Sequence, residues 1–226
     1  MFHPLRLVAA AVLLALMPTA TTAFSSRTLD SIAPLQFETV GFDPTTHEIY
    51  QRVGNQCTSF SVHEKQRLWL TARHCILDNG GDPLGIPFYI AGHDAAVYAE
   101  DVDHDLVVLQ TKAFKGRALK LASREPDYLN PVTIIGYPYG YGPLVVTGQV
   151  AAYAFTFNTE VPAYLVFVAP TCPSNSGSPV MDIDDRVVSV VRFAFSQGCS
   201  SMGGGPSLKV LKSFLQPVLK AADKAR

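Results

Sequence analysis

The chain has 226 residues, of which 48% are hydrophobic and 16% charged, and its formal net charge is -1. This composition excludes an intrinsically disordered chain, and the lack of a basic stripe argues against nucleic acid as a partner. The length suits one large domain or two small ones with a substantial core.

The N-terminal residues read as a targeting segment. Met1–Arg6 carries positive charge, Leu7–Met17 is a continuous apolar run, and Pro18–Ala23 is small and neutral. That is the grammar of a secretory signal peptide, with cleavage expected after Ala23. The alternative, a membrane anchor, needs about 20 apolar residues, and no second long apolar run follows. The mature protein is therefore expected without a stable membrane anchor, in the periplasm or outside the cell.

Beyond the leader come short apolar runs separated by Gly, Pro, Asn and Asp: Arg67–Thr71, Phe88–Ala91, Leu106–Gln110, Val132–Ile135, Leu144–Thr147, Gln149–Ala154, Tyr164–Val168 and Val187–Phe193. Their length and their content of Val, Ile, Leu and aromatics predict strands, and many short strands with frequent turns predict an all-β barrel or sandwich. Between Lys112 and Pro131 charge and turn formers replace the apolar runs, which marks a connection between two β units. The expected organisation is a leader over 1–23, an N-terminal extension and first β unit over 24–118, and a second β unit with a terminal helix over 119–226. The helix shows in Leu208, Leu211, Phe214, Leu215, Val218 and Leu219, with Ser207 as N-cap. Pro217 is expected to kink or interrupt it. Lys209, Lys212, Lys220, Lys224 and Arg226 form its solvated face.

The four cysteines, Cys57, Cys75, Cys172 and Cys199, suit an oxidising compartment, and three pairings are open to them. There is no C-x-x-C pair, and the six histidines show no ligand spacing, so neither a metal nor an organic cofactor is expected.

Three segments carry chemistry. In Cys172-Pro173-Ser174-Asn175-Ser176-Gly177-Ser178-Pro179, Ser176 stands among small residues on a tight turn, where a nucleophilic hydroxyl can project while nearby amides point at the same space. His74, in Thr71-Ala72-Arg73-His74-Cys75, follows a strand-like run and stands beside a cysteine, as suits a rigidly held general base. Asp105 precedes the apolar run Leu106–Leu109, where a carboxylate can orient an imidazole. Each segment also has an ordinary structural reading, and Asp101, Asp103 and His104 compete for the same roles.

Together these segments resemble the motifs of the chymotrypsin-like (trypsin-fold) serine proteases, including bacterial glutamyl-endopeptidase-like members. The Thr-Ala-x-His-Cys pattern is matched by Thr71 to Cys75. The nucleophile pattern is matched from Asn175 to Pro179, and the chain order His, Asp, Ser agrees. Gly136-Tyr137-Pro138 and Val146–Val150 resemble the second-barrel hairpin of bacterial members. The resemblance implies two antiparallel Greek-key β-barrels with the active site in the cleft between them. It implies a triad of His74, Asp105 and Ser176, an oxyanion hole made by the amides of Ser174 and Ser176, and a protein or peptide substrate. It also implies the disulfides Cys57–Cys75 and Cys172–Cys199, and a substrate pocket around Pro170, Thr171, Val191, Arg192 and Phe193.

The chain also departs from the family pattern. Ser174 stands where the family has Gly, so a positive φ there strains it. That departure motivates an alternative function, a catalytically impaired protease fold serving as a secreted binding module. Asn175 replaces the Asp of the family's zymogen switch, so activity is expected without proteolytic activation. Pro170 removes the acid that selects Lys or Arg, and Arg192 is expected at the pocket rim or in solvent, with an inward turn onto an acidic side chain as the alternative.

Overall fold

A computed structural model of the chain describes residues 26–43, 45–77, 87–114, 116–155 and 162–225. The expected leader, residues 1–23, lies outside them. A short helix α1 (Ser26–Leu29) leads into strands β1 (Ile32–Asp43), β2 (Glu48–His63), β3 (Leu68–Ala72), β4 (Phe88–Ile90), β5 (His93–Asp101) and β6 (Leu106–Thr111). These six pair antiparallel in the order β1-β2-β3-β6-β5-β4, and β4 returns to β1 to close a barrel. The second unit comprises β7 (Pro131–Gly136), β8 (Leu144–Phe155), β9 (Pro162–Thr171), β10 (Pro179–Met181), β11 (Val187–Val190), β12 (Phe193–Ala194) and β13 (Ser200–Pro206). Its order is β11-β10-β7-β8-β9-β13-β12. This sheet is barrel-like without a closing ladder. It curls until Ser189 Oγ donates to Pro206 O at 2.7 Å and Arg192 N to Gly204 O at 2.9 Å.

Alternation along the apolar runs explains how the units join. In β6, Val107 and Leu109 pack with Trp69, Leu35 and Phe37 inside the first barrel. Leu106 and Val108 point the other way, into a core with Leu68, Leu70, Ile135, Val187 and Val190. In β7 and β11, Ile134 and Val188 join Phe167 and Leu165 inside the second unit. The continuous runs are thus strands buried on both faces, one face in a barrel and one at the seam. A helix α2 (Leu208–Lys224) lies across the seam, adding Leu211 and Leu215 to the shared core.

Ser207 Oγ accepts from Val210 N, as its N-cap role predicts, and Glu125 from the connecting segment accepts from the amides of Leu208 and Lys209 at 3.2 and 2.8 Å. Pro217 does not interrupt the helix. Both it and Ser213, whose carbonyl it leaves without a donor, are exposed, so water can satisfy that carbonyl. Two expected strands, Leu144–Thr147 and Gln149–Ala154, are one strand, β8. The expected strand Val187–Phe193 is two, because the chain leaves β10 after Val190 and pairs with β13 from Phe193.

Candidate active site

Asp105 organises one side of the site from the turn that opens β6. Its φ of 60° is in the left-handed region, which Asp tolerates better than most residues. Ala72, before the 3-10 turn Arg73–Ile76, offers no side-chain cap. Asp105 caps the turn from another strand instead: its carbonyl accepts from Arg73 N at 2.9 Å and its Oδ1 from His74 N at 2.7 Å. Its Oδ2 lies 2.7 Å from His74 Nδ1, so one carboxylate holds both the backbone and the ring of the histidine. The Cys57–Cys75 disulfide anchors the next residue to β2.

Burial alone would push the Asp105 carboxyl up. The ring and amide of His74, together with the Arg192 guanidinium, outweigh it and hold the carboxyl below its ordinary value of 3.8. Arg192, expected at the rim or in solvent with an inward turn as the alternative, lies in the cleft wall with its head group turned onto Asp105. Its Nε is 3.2 Å from Asp105 Oδ2, its Nη1 donates to the Tyr164 hydroxyl, and its guanidinium lies 5.2 Å from the Tyr164 ring centroid. Neither Tyr164 nor this contact was foreseen. The partners are 87 positions apart in sequence, and local pattern carries no signal for that.

Ser176 comes from the other unit. Thr58 N donates to Ser176 O at 2.9 Å, and Cys75 Sγ is 3.9 Å from the same oxygen, so the serine's backbone sits directly against the residues beside His74. Among the described residues the Ser176 hydroxyl and the His74 ring are not joined by a hydrogen bond. Gly177 has φ +84°, and a Cβ there would meet Thr58 O at 2.0 Å and Thr71 Oγ1 at 2.1 Å, so both conformation and space require glycine. Gly136 is required by space alone: a Cβ would meet Ser178 Oγ at 2.2 Å and the buried Asn175 Oδ1 at 2.8 Å. The Ser176 loop is seated where the chain has no side chain at Gly136 and Gly177.

Ser174 has φ +72°, the strained conformation that its substitution for glycine raises as a concern. Two contacts hold it. Tyr139 N donates to Pro173 O at 3.0 Å, and a planar trans peptide then turns the Ser174 N–H to the opposite side. Thr58 Oγ1 donates to Ser174 O at 3.0 Å and accepts from Tyr137 N at 2.9 Å. Thr58 therefore ties the first barrel to this loop twice, at Ser174 O and Ser176 O, and once to Tyr137 after β7, a role with no signal in the sequence.

Ser176 lines a cleft of about 200 Å³ together with Thr171, Cys172, Pro173, Val191, Arg192 and Phe193. Four of the five expected pocket residues are thus in its wall. Pro170 is not: alternation along β9 buries Ala169 and Thr171 and turns Pro170 outward to solvent. The Cys172–Cys199 disulfide ties the lining residue Cys172 to the residue after Gly198, which also lines the cleft. A larger cavity of about 270 Å³, lined by Arg124, Glu125, Asp182 and Arg186 among others, shares no residue with the cleft. The group Cys57, His74 and Cys75 has the proximity of a metal site, but the two sulfurs are joined in a disulfide, which leaves no thiolate ligand.

Residues 57–190 match the sequence model of the trypsin-like peptidase domain. No curated protein matches the chain. Among solved structures, an HtrA-type protease, AlgW with a decapeptide, superposes with a TM-score of 0.70 at 18% identity, over 86% of this chain and 66% of that one. The chain therefore spans just under two thirds of that protein's length. The active form of the Rv3671c protease from M. tuberculosis superposes with a TM-score of 0.63 at 16% identity, over 84% of this chain and 81% of that one. At these identities the likeness speaks for the fold.

Proposed function

The chain belongs to the trypsin-like peptidase family, and from that premise we propose that it is a secreted serine endopeptidase with His74, Asp105 and Ser176 as its triad. The observation that carries the reading is the His74–Asp105 pair at 2.7 Å, whose acid also meets Arg192 in the wall of the cleft that Ser176 lines. Ser176 attacks the peptide carbonyl, and His74 takes its proton and later delivers it to the leaving amine. Asp105 holds the ring in the required tautomer and stabilises the imidazolium. The hydrogen bond from Ser176 to His74 forms in the substrate complex, as catalytic hydrogen bonds that are long in the free enzyme commonly do. The amides of Ser174 and Ser176 receive the developing oxyanion; a donor of this kind is worth about 3 kcal/mol. Two disulfides and the leader-like N-terminus support export to the periplasm or beyond.

The substrate is a protein or peptide, as with the decapeptide seen in the HtrA-type structure. With Asn175 in place of an ionisable residue before the nucleophile, the enzyme works without a newly cut N-terminus. The test is labelling of the purified protein by a fluorophosphonate probe, with Ser176→Ala alongside. Labelling of the parent and not of the variant supports the reading. The strained Ser174 favours a second reading, a secreted binding module of the same fold, and absence of labelling in both proteins would put it first.

A further inference from the structure

We propose that Arg192 is a positioning residue that fixes Asp105 and extends the working range of the site toward acid. Its guanidinium shares Oδ2 of Asp105 with His74 Nδ1, at 3.2 and 2.7 Å, and so opposes a second positive charge on the ring. The inference rests on the endopeptidase reading for its purpose, and on geometry alone for its physical content.

Three features make Arg192 a built part of the site. It is held at both ends of its head group, Nε on Asp105 and Nη1 on the Tyr164 hydroxyl, with the Tyr164 ring beneath it. Tyr164 is itself braced edge-on by Phe193, the next residue after Arg192. The Asp105 side chain is only 12% exposed, so the pair interacts in a poorly screened place.

The remaining charged groups near the pair are engaged elsewhere. Arg73, on the turn that carries His74, has its Nε 2.7 Å from Glu100 of β5. His104 pairs with Asp101 at 2.8 Å, and Asp103 is exposed to water. From the second unit the facing groups are Arg192 and Tyr164. The charges acting on Asp105 are accordingly those of His74 and Arg192.

The chemical consequence follows from sharing. An imidazolium beside a lone aspartate gains the full attraction of that carboxylate. Beside an aspartate already facing a guanidinium it gains less, so removing the guanidinium is expected to favour the charged ring relative to the wild type. The same contact limits how freely the carboxylate rotates, which keeps Oδ1 on the His74 amide.

The experiment is an NMR titration of the His74 ring, which needs no turnover, in the wild type, Arg192→Met, Arg192→Gln and Arg192→Lys. Arg192→Gln keeps hydrogen-bond donors and loses the charge, and it covers the case in which Arg192→Met fails to fold. The midpoint is expected to lie above that of the wild type in the Met and Gln variants and between the two in the Lys variant. The acid limb of kcat/KM on a peptide substrate is expected to move with it. A midpoint that stays or falls in Arg192→Gln overturns the proposal, whatever the activity. Conversely, if the midpoint rises but Ser176 reacts with no probe or substrate, the endopeptidase reading fails and the placement of Arg192 stands.

Discussion

Two histidine–aspartate pairs lie close together in the first barrel with the same wiring. In each, the histidine amide donates to one carboxylate oxygen, at 2.7 Å for His74–Asp105 and 3.2 Å for His104–Asp101, and Nδ1 meets the other oxygen, at 2.7 and 2.8 Å. The histidine side chains are comparably exposed, 44% for His74 and 36% for His104. The difference lies behind and in front of them. His104–Asp101 is a local pair across one turn, with no hydrogen bond or ion pair from the second unit among the described residues. The other pair joins two elements, is anchored by a disulfide, has an arginine behind its acid and has Ser176 brought up from across the seam. A histidine–aspartate hydrogen bond is thus not itself a site, and what gives it chemical meaning is the surrounding structure.

The largest expected effect sharpens this contrast directly. His74→Ala and Asp105→Asn are expected to lower kcat/KM on a peptide substrate by about 10⁴-fold. His104→Ala and Asp101→Asn should leave it within about twofold, because surface changes away from a built site have small effects. Loss of activity on mutating His104 would break the comparison. Next in size is the support in front of the His74–Asp105 pair. Gly177→Ala forces a Cβ onto Thr58 O and Thr71 Oγ1 at a positive φ. Labelling of Ser176 by a fluorophosphonate should be lost, and thermal denaturation should show a cost of about 2–3 kcal/mol. Thr58→Val is milder: it removes the bond to Ser174 O and leaves Tyr137 N without its acceptor. The expected cost is about 1–3 kcal/mol in denaturant unfolding. The labelling rate should fall about tenfold, because the Ser174 peptide is then held on one side only.

The same contrast explains what the sequence made legible. Strands β3, β6, β7 and β11 stand out as continuous apolar runs because both of their faces are buried, one in a barrel and one at the seam. Strand β5, His93–Asp101, is mostly exposed, and its apolar stretch of three alanines with Val97 and Tyr98 lacks the branched aliphatic run of a doubly buried strand. Strand β13 is hidden for the opposite reason. Its Gly203, Gly204 and Gly205 look like a loop, yet each stands where a Cβ would strike a neighbour, Thr171, Phe193 and Val190 respectively. Glycine there answers to packing, and a single sequence does not distinguish that from a turn. At the site, the Ser176 and His74 segments are legible because their local turns demand particular neighbours. Whether Asp101, Asp103 or Asp105 faces His74 depends on how β3 and β6 pair, with Ala72 opposite Leu106, and local composition does not contain that register.

The smallest expected effect separates the two pairs by acid stability. Asp105 is held below 3.8 in the folded chain, so its charged form contributes stability. A depressed carboxylate binds its proton more weakly folded than unfolded. Its contribution is therefore complete well above 3.8 and is lost as the pH falls through the folded value. Denaturant midpoints measured from about pH 6 down to about pH 2 should accordingly show wild type and Asp105→Asn converging on the acid side. The substitution removes a titrating partner of His74 and Arg192, and acid neutralises that same partner in the wild type. Asp101→Asn should leave the acid-side loss intact, since Asp105 still titrates in that variant. If Asp101→Asn instead flattened the acid limb and Asp105→Asn did not, the carboxylate stabilised by folding would be that of the local pair, and the contrast between the two would reverse.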